Sequence, residues 1–67
     1  MPHDRTEYIH DLAGLCMESR ATMQAVGFEP TVAEVLGFAR LVLLNEAEVR
    51  RMEFMVRERW LREETLQ

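Results

Sequence analysis

Glu7-x-x-His10, with His3 before it and Asp11 after it, is the part of this chain closest to a metal site. A glutamate and a histidine three residues apart share a helix face, the spacing with which helix bundles ligate di-iron or di-manganese centres. Such centres need further inward carboxylates, and Glu46 and Glu53 are the available ones. Two facts compete with that chemistry. Glu7 also completes a capping pair with Asp4, and mixed polar residues on a first helical turn ordinarily face water. A structural zinc is poorly supported as well, because one cysteine and two histidines without a Cys-x-x-Cys pair do not make the usual four-ligand set. The expectation is no metal and no other cofactor, with a helix-bundle metal protein kept as an alternative.

Nucleophilic chemistry finds no better footing. Cys16 is the only cysteine, and it lies four residues after Leu12 between Leu15 and Met17, with neither a base nor an electropositive surround implied. It reads as a small core residue with a reduced thiol. Glu63 and Glu64 are adjacent and solvated, not an acid/base dyad. Phosphate-cradling glycine loops, Gly-x-Ser-x-Gly elbows and His-Glu-x-x-His pairs are absent from the sequence. The chain is expected not to be an enzyme.

The elements that would position any of these residues are helical. Asp4 and Glu7 have capping-box spacing, so a first helix is expected over about 5–26, closed by Gly27 and followed by Pro30. Thr31 and Glu34 repeat the same spacing and start a second helix near Val32. No Gly or Pro follows Gly37, and Glu46/Arg50, Glu53/Arg57 and Glu58/Arg62 are i,i+4 pairs with the acid N-terminal. These features favour one long helix over about 32–64, roughly 50 Å at 1.5 Å per residue. Asn45 and Glu48 form a third capping pair, and a break near Asn45 is the competing reading. The fold class is therefore all-α: a helical hairpin with a long second helix, in one domain over 1–67.

Valines recur every seven residues, at Val35, Val42, Val49 and Val56. At about 100° per residue, Val35, Phe38, Val42, Val49, Met52, Val56 and Trp60 share one side of the second helix, while Leu36, Leu43, Ala47, Phe54 and Leu61 form a second stripe roughly 130° away. The stripe of Ile9, Leu12, Cys16, Met23 and Val26 on the first helix can cover only one of these seams. The other calls for a second chain, and a dimeric four-helix bundle is the simplest assembly that supplies it. Chain length points the same way, since 67 residues without disulfides build a core barely large enough to offset their conformational entropy.

Charge limits the partners. Eight arginines and no lysine stand against 12 acidic residues, for a net charge of −4, which disfavours broad attraction to nucleic acid or anionic lipid. Thr31 to Phe38 faintly resembles the first helix and turn of a helix-turn-helix motif, but the following Ala39 to Glu46 is apolar and then acidic where a recognition helix would be basic. Arg50, Arg51, Arg57, Arg59 and Arg62 could reach phosphates, although most have a glutamate within one turn. No run is long and apolar enough to span a bilayer, and no basic-then-apolar signal segment is seen. The reading is a cytoplasmic, non-enzymatic protein-interaction module of bacterial or phage type, an adaptor, inhibitor or assembly factor acting as a homodimer. Its dimer or partner surface would draw on Val35, Phe38, Val42, Val49, Met52, Phe54, Val56, Trp60 and Leu61, Met and Trp being suited to recognition. The alternative is a small dimeric nucleic-acid-binding regulator.

Overall fold

The computed structural model describes residues 5–42 and 45–66. Among these the chain is all-helical: α1 over Thr6–Ala25, a single turn α2 over Val32–Val35, a 3-10 turn over Gly37–Arg40, and α3 over Glu46–Leu66.

Three helix ends have a local cause. Beyond α1, the Phe28 N–H donates to the Met23 carbonyl at 2.9 Å and the Gly27 N–H to the Gln24 carbonyl at 3.0 Å. This paired closure requires a left-handed residue between them, and Gly27 supplies it at φ 87°. Thr31 caps α2 reciprocally: its Oγ1 accepts from the Glu34 N–H at 3.2 Å, and its own N–H donates to Glu34 Oε1 at 2.8 Å. Asn45 does the same for α3, with Oδ1 accepting from the Glu48 N–H at 2.9 Å and the Asn45 N–H donating to Glu48 Oε1 at 3.4 Å. The proposed Asp4 cap lies outside the described residues.

The Asn45 box overturns the expectation of one continuous helix over 32–64. The reason is the core. Val35, Leu36 and Ala39 belong to the same buried cluster as Met52 and Val56. In one straight helix Val35 and Val56 would be about 30 Å apart, so they can share a core only because the chain turns between them.

The hairpin expectation is also corrected. Arg5, at the head of α1, pairs with Glu48 in the first turn of α3, and Arg20, near the end of α1, meets Trp60 and Glu64 near the end of α3. The two long helices therefore run in the same direction, and the segment carrying α2 and the 3-10 turn travels back between them. Their shared core holds Ile9, Leu12, Ala13 and Cys16 from α1, Val35, Leu36 and Ala39 from the returning segment, and Met52 and Val56 from α3.

Two substitutions check these ends. Gly27→Ala is expected to cost about 1 kcal/mol through its φ alone, because a Cβ there meets nothing within 4 Å. Asn45→Ala is expected to cost a similar amount, about 1 kcal/mol, by loss of the cap. Both are read from urea denaturation midpoints.

Candidate functional site

The residues on which sequence periodicity placed a dimer or partner surface divide into two groups. Val35, Met52 and Val56 are buried inside the single chain, and Phe38, Val42, Val49 and Trp60 are half-buried against the same cluster. These seven spend their apolar surface on folding, because the returning segment, which carries Val35, Phe38 and Val42, packs with α1 and α3 into one cluster. Phe54 and Leu61 are different. They remain 67% and 64% exposed, and at 100° per residue they lie on the side of α3 turned away from Met52 and Val56. Ala47, seven residues before Phe54, is exposed on the same line. Leu36, placed in that second stripe by periodicity, is buried because it sits before the break, and Leu43 lies outside the described residues.

A groove of about 490 Å³ runs beside Phe54, between α1 and α3. It is lined by His10 from α1 and by Arg51, Phe54, Met55, Glu58, Arg59 and Arg62 from α3. Arg59 reaches across it, with Nη2 donating to His10 Nδ1 at 3.3 Å. A guanidinium nitrogen can only donate, so in this contact His10 Nδ1 is the acceptor. Gly14 of α1 lies opposite Arg59: a Cβ there would sit 3.8 Å from Arg59 Nη1, an ordinary van der Waals contact. Arg62 is held by Glu58 at 2.8 Å. Arg51 and Arg59 have no carboxylate partner among the described residues.

This arrangement sets His10 against a cation, the opposite of what a metal ligand needs. Among the described residues no three His, Cys, Asp or Glu side chains come together, and His3 lies outside them. Cys16 is fully buried in the core, and burial pushes its thiol from 9.0 up to about 11. Such a thiol is protonated and shielded at neutral pH, which suits packing and not nucleophilic attack.

Arg20 is the residue that pattern reading missed. It is 7% exposed, its guanidinium carbon lies 3.8 Å from the Trp60 ring centroid, and Nη2 stands 3.6 Å from Glu64 Oε1. Its Nε is buried without a hydrogen-bond partner. The signal was available: Arg20 falls four residues after Cys16 and eleven after Ile9, on the apolar stripe of α1. The planar guanidinium works here as a flat filler beneath the indole, with its charge partly answered by the ring face and by Glu64.

Comparison with protein-family models, curated proteins and solved structures finds no match. The functional argument accordingly rests on the residues themselves. No described helix is long and apolar enough to cross a membrane.

Two outcomes are expected. Arg20→Met should hold or raise stability, since it removes a buried donor without an acceptor while keeping the packing volume; Arg20→Ala, which leaves a void under Trp60, should cost about 2 kcal/mol in chemical denaturation. The Cys16 thiol should react with a disulfide reagent only as the protein unfolds. Because its folded pKa lies above the unfolded one, the unfolded state sheds its proton first, and stability should fall as pH rises from 9 to 11 by about 2 kcal/mol relative to Cys16→Ala.

Proposed function

We propose that the protein is a small non-enzymatic interaction module that self-associates as a homodimer and presents helical surface to a protein partner. The observation that carries this reading is the pair Phe54 and Leu61, two large apolar side chains seven residues apart, about two-thirds exposed, on a helix whose opposite face already fills the intramolecular core. A chain only 15 Å across its thinnest dimension has no second layer to cover them. Aromatic and aliphatic anchors bordered by arginines are the usual make-up of the centre of a protein interface.

A second reading has a specific observation behind it. Arg51, Arg59 and Arg62 line one groove with His10 and Phe54, and although Glu58 in the same groove answers Arg62, Arg51 and Arg59 are left to meet phosphates and the ring to meet a base. Retention on heparin at 0.15 M salt, with a steep loss as salt rises, would favour a nucleic-acid-binding regulator; flow-through would favour the protein-interaction reading.

The direct experiment is Phe54→Ser combined with Leu61→Ser. Both side chains are mostly in water within one chain, so helix content by circular dichroism should be unchanged. Light scattering should show a dimer for the parent protein at tens of micromolar and a monomer for the double variant. A parent protein that is monomeric there, with a melting temperature independent of concentration, removes the homodimer from this proposal.

A further inference from the structure

Resting on the homodimer reading above, we infer that a second copy of this chain docks on the α1/α3 groove about a two-fold axis parallel to the helices, laying α1 of each copy over α3 of the other.

The argument begins with two rims of opposite charge. On α1, Glu7, Asp11 and Glu18 are exposed, and none is in an ion pair among the described residues. Glu7 and Glu18 stand seven residues before and four after Gly14, the residue against which Arg59 packs, so they share the side of α1 that borders the groove. On α3, Arg51 and Arg62 line the same groove from the other side. Eleven residues separate Glu7 from Glu18, and eleven separate Arg51 from Arg62. Eleven residues are close to three helical turns, so each pair lies on one line, about 16 Å long.

The level of one rim against the other follows from contacts inside the chain. Arg5 meets Glu48 and Arg20 meets Glu64, so a residue of α1 stands level with the residue of α3 some 43 or 44 positions later. By that offset Glu7 is level with Arg51 and Glu18 with Arg62. Within one copy these side chains stand on opposite sides of the groove, with Arg59 and Met55 between. A two-fold axis along the helices keeps every level and exchanges the helices, so Glu7 of one copy falls opposite Arg51 of the other and Glu18 opposite Arg62. The symmetry repeats both pairs. The same operation closes the groove over Met55 and Phe54, while Leu61, in a separate depression with Val32, Trp60 and Glu64, stays outside this contact. The other way of laying the faces together, with a two-fold across the helices, sets α1 on α1 and brings Glu7, Asp11 and Glu18 against their own kind, while Arg51 and Arg62 meet Arg51 and Arg62. Charge therefore selects the parallel arrangement. Arg62 already bonds Glu58 at 2.8 Å, and its remaining N–H groups are free to take a second carboxylate.

The test uses two charge-reversed chains, Glu7→Arg with Glu18→Arg, and Arg51→Glu with Arg62→Glu. Each alone sets like charges across both contacts and is expected to run as a monomer at a concentration where the parent protein is a dimer, a loss of at least tenfold in affinity. Mixed one to one, each chain meets the other's reversed rim, all four ion pairs re-form, and native mass spectrometry should show the heterodimer. All four positions are exposed, so helicity should be unchanged; should a double reversal lose it, the single reversals Glu18→Arg and Arg62→Glu carry the same test. A parent dimer that persists in both variants, or variants that stay monomeric when mixed, overturns the parallel two-fold while leaving the homodimer intact. A monomeric parent protein overturns the homodimer itself.

Discussion

The two long helices lie side by side in the same direction, and nearly everything else in the molecule follows from that. A chain leaving the end of one helix must travel back along it before it can enter the next. The returning segment therefore cannot be a short turn; it carries Val35, Leu36 and Ala39 into the core and buries Pro30 on the way. The three well-capped ends, at Gly27, Thr31 and Asn45, are the three places where the path changes direction. Each supplies its own hydrogen bonds to backbone groups that the neighbouring helix can no longer satisfy.

Several of these ends were legible because their chemistry is local. Threonine or asparagine three residues before glutamate specifies a reciprocal cap, and glycine after an apolar run specifies a left-handed closure. Helix direction was not legible, since an apolar stripe reads the same whether its partner runs parallel or antiparallel. The continuous second helix failed for a related reason. The heptad recurrence of valine from Val35 to Val56 is compatible with one helix, yet burial of Val35 with Met52 and Val56 requires the chain to fold back, and only the Asn45 cap hinted at it. Of the apolar residues offered as an interface, periodicity identified the stripes but could not say which would be consumed internally. Arg20 escaped because a charge on an apolar stripe is discounted, although its place opposite Trp60 is what makes its burial tolerable.

The net charge of −4 conceals a division by helix. The glutamates Glu46, Glu53 and Glu58 are tied to Arg50, Arg57 and Arg62 along α3, contacts that support the helix by only tenths of a kcal/mol each. Outside those pairs the charges segregate: acid along α1, and Arg51 and Arg59 on the groove side of α3. A chain whose overall charge repels polyanions thus keeps a locally basic groove with an aromatic at its edge.

Parallel packing also has a kinetic consequence. In a helical hairpin the partners are joined by a few residues, whereas here 20 residues lie between Ala25 and Glu46, about two doublings of loop length and on the order of 1 kcal/mol of extra closure entropy. The contacts that tie α1 side chains to α3, Arg5 to Glu48, His10 to Arg59 and Arg20 to Trp60 and Glu64, join residues forty or more positions apart in a chain of 67. For a helical protein that is a high contact order, and folding should be correspondingly slow. Neither long helix meets its partner until most of the chain is available, so the core around Cys16 and Met52 closes only when residues far apart in the chain come together.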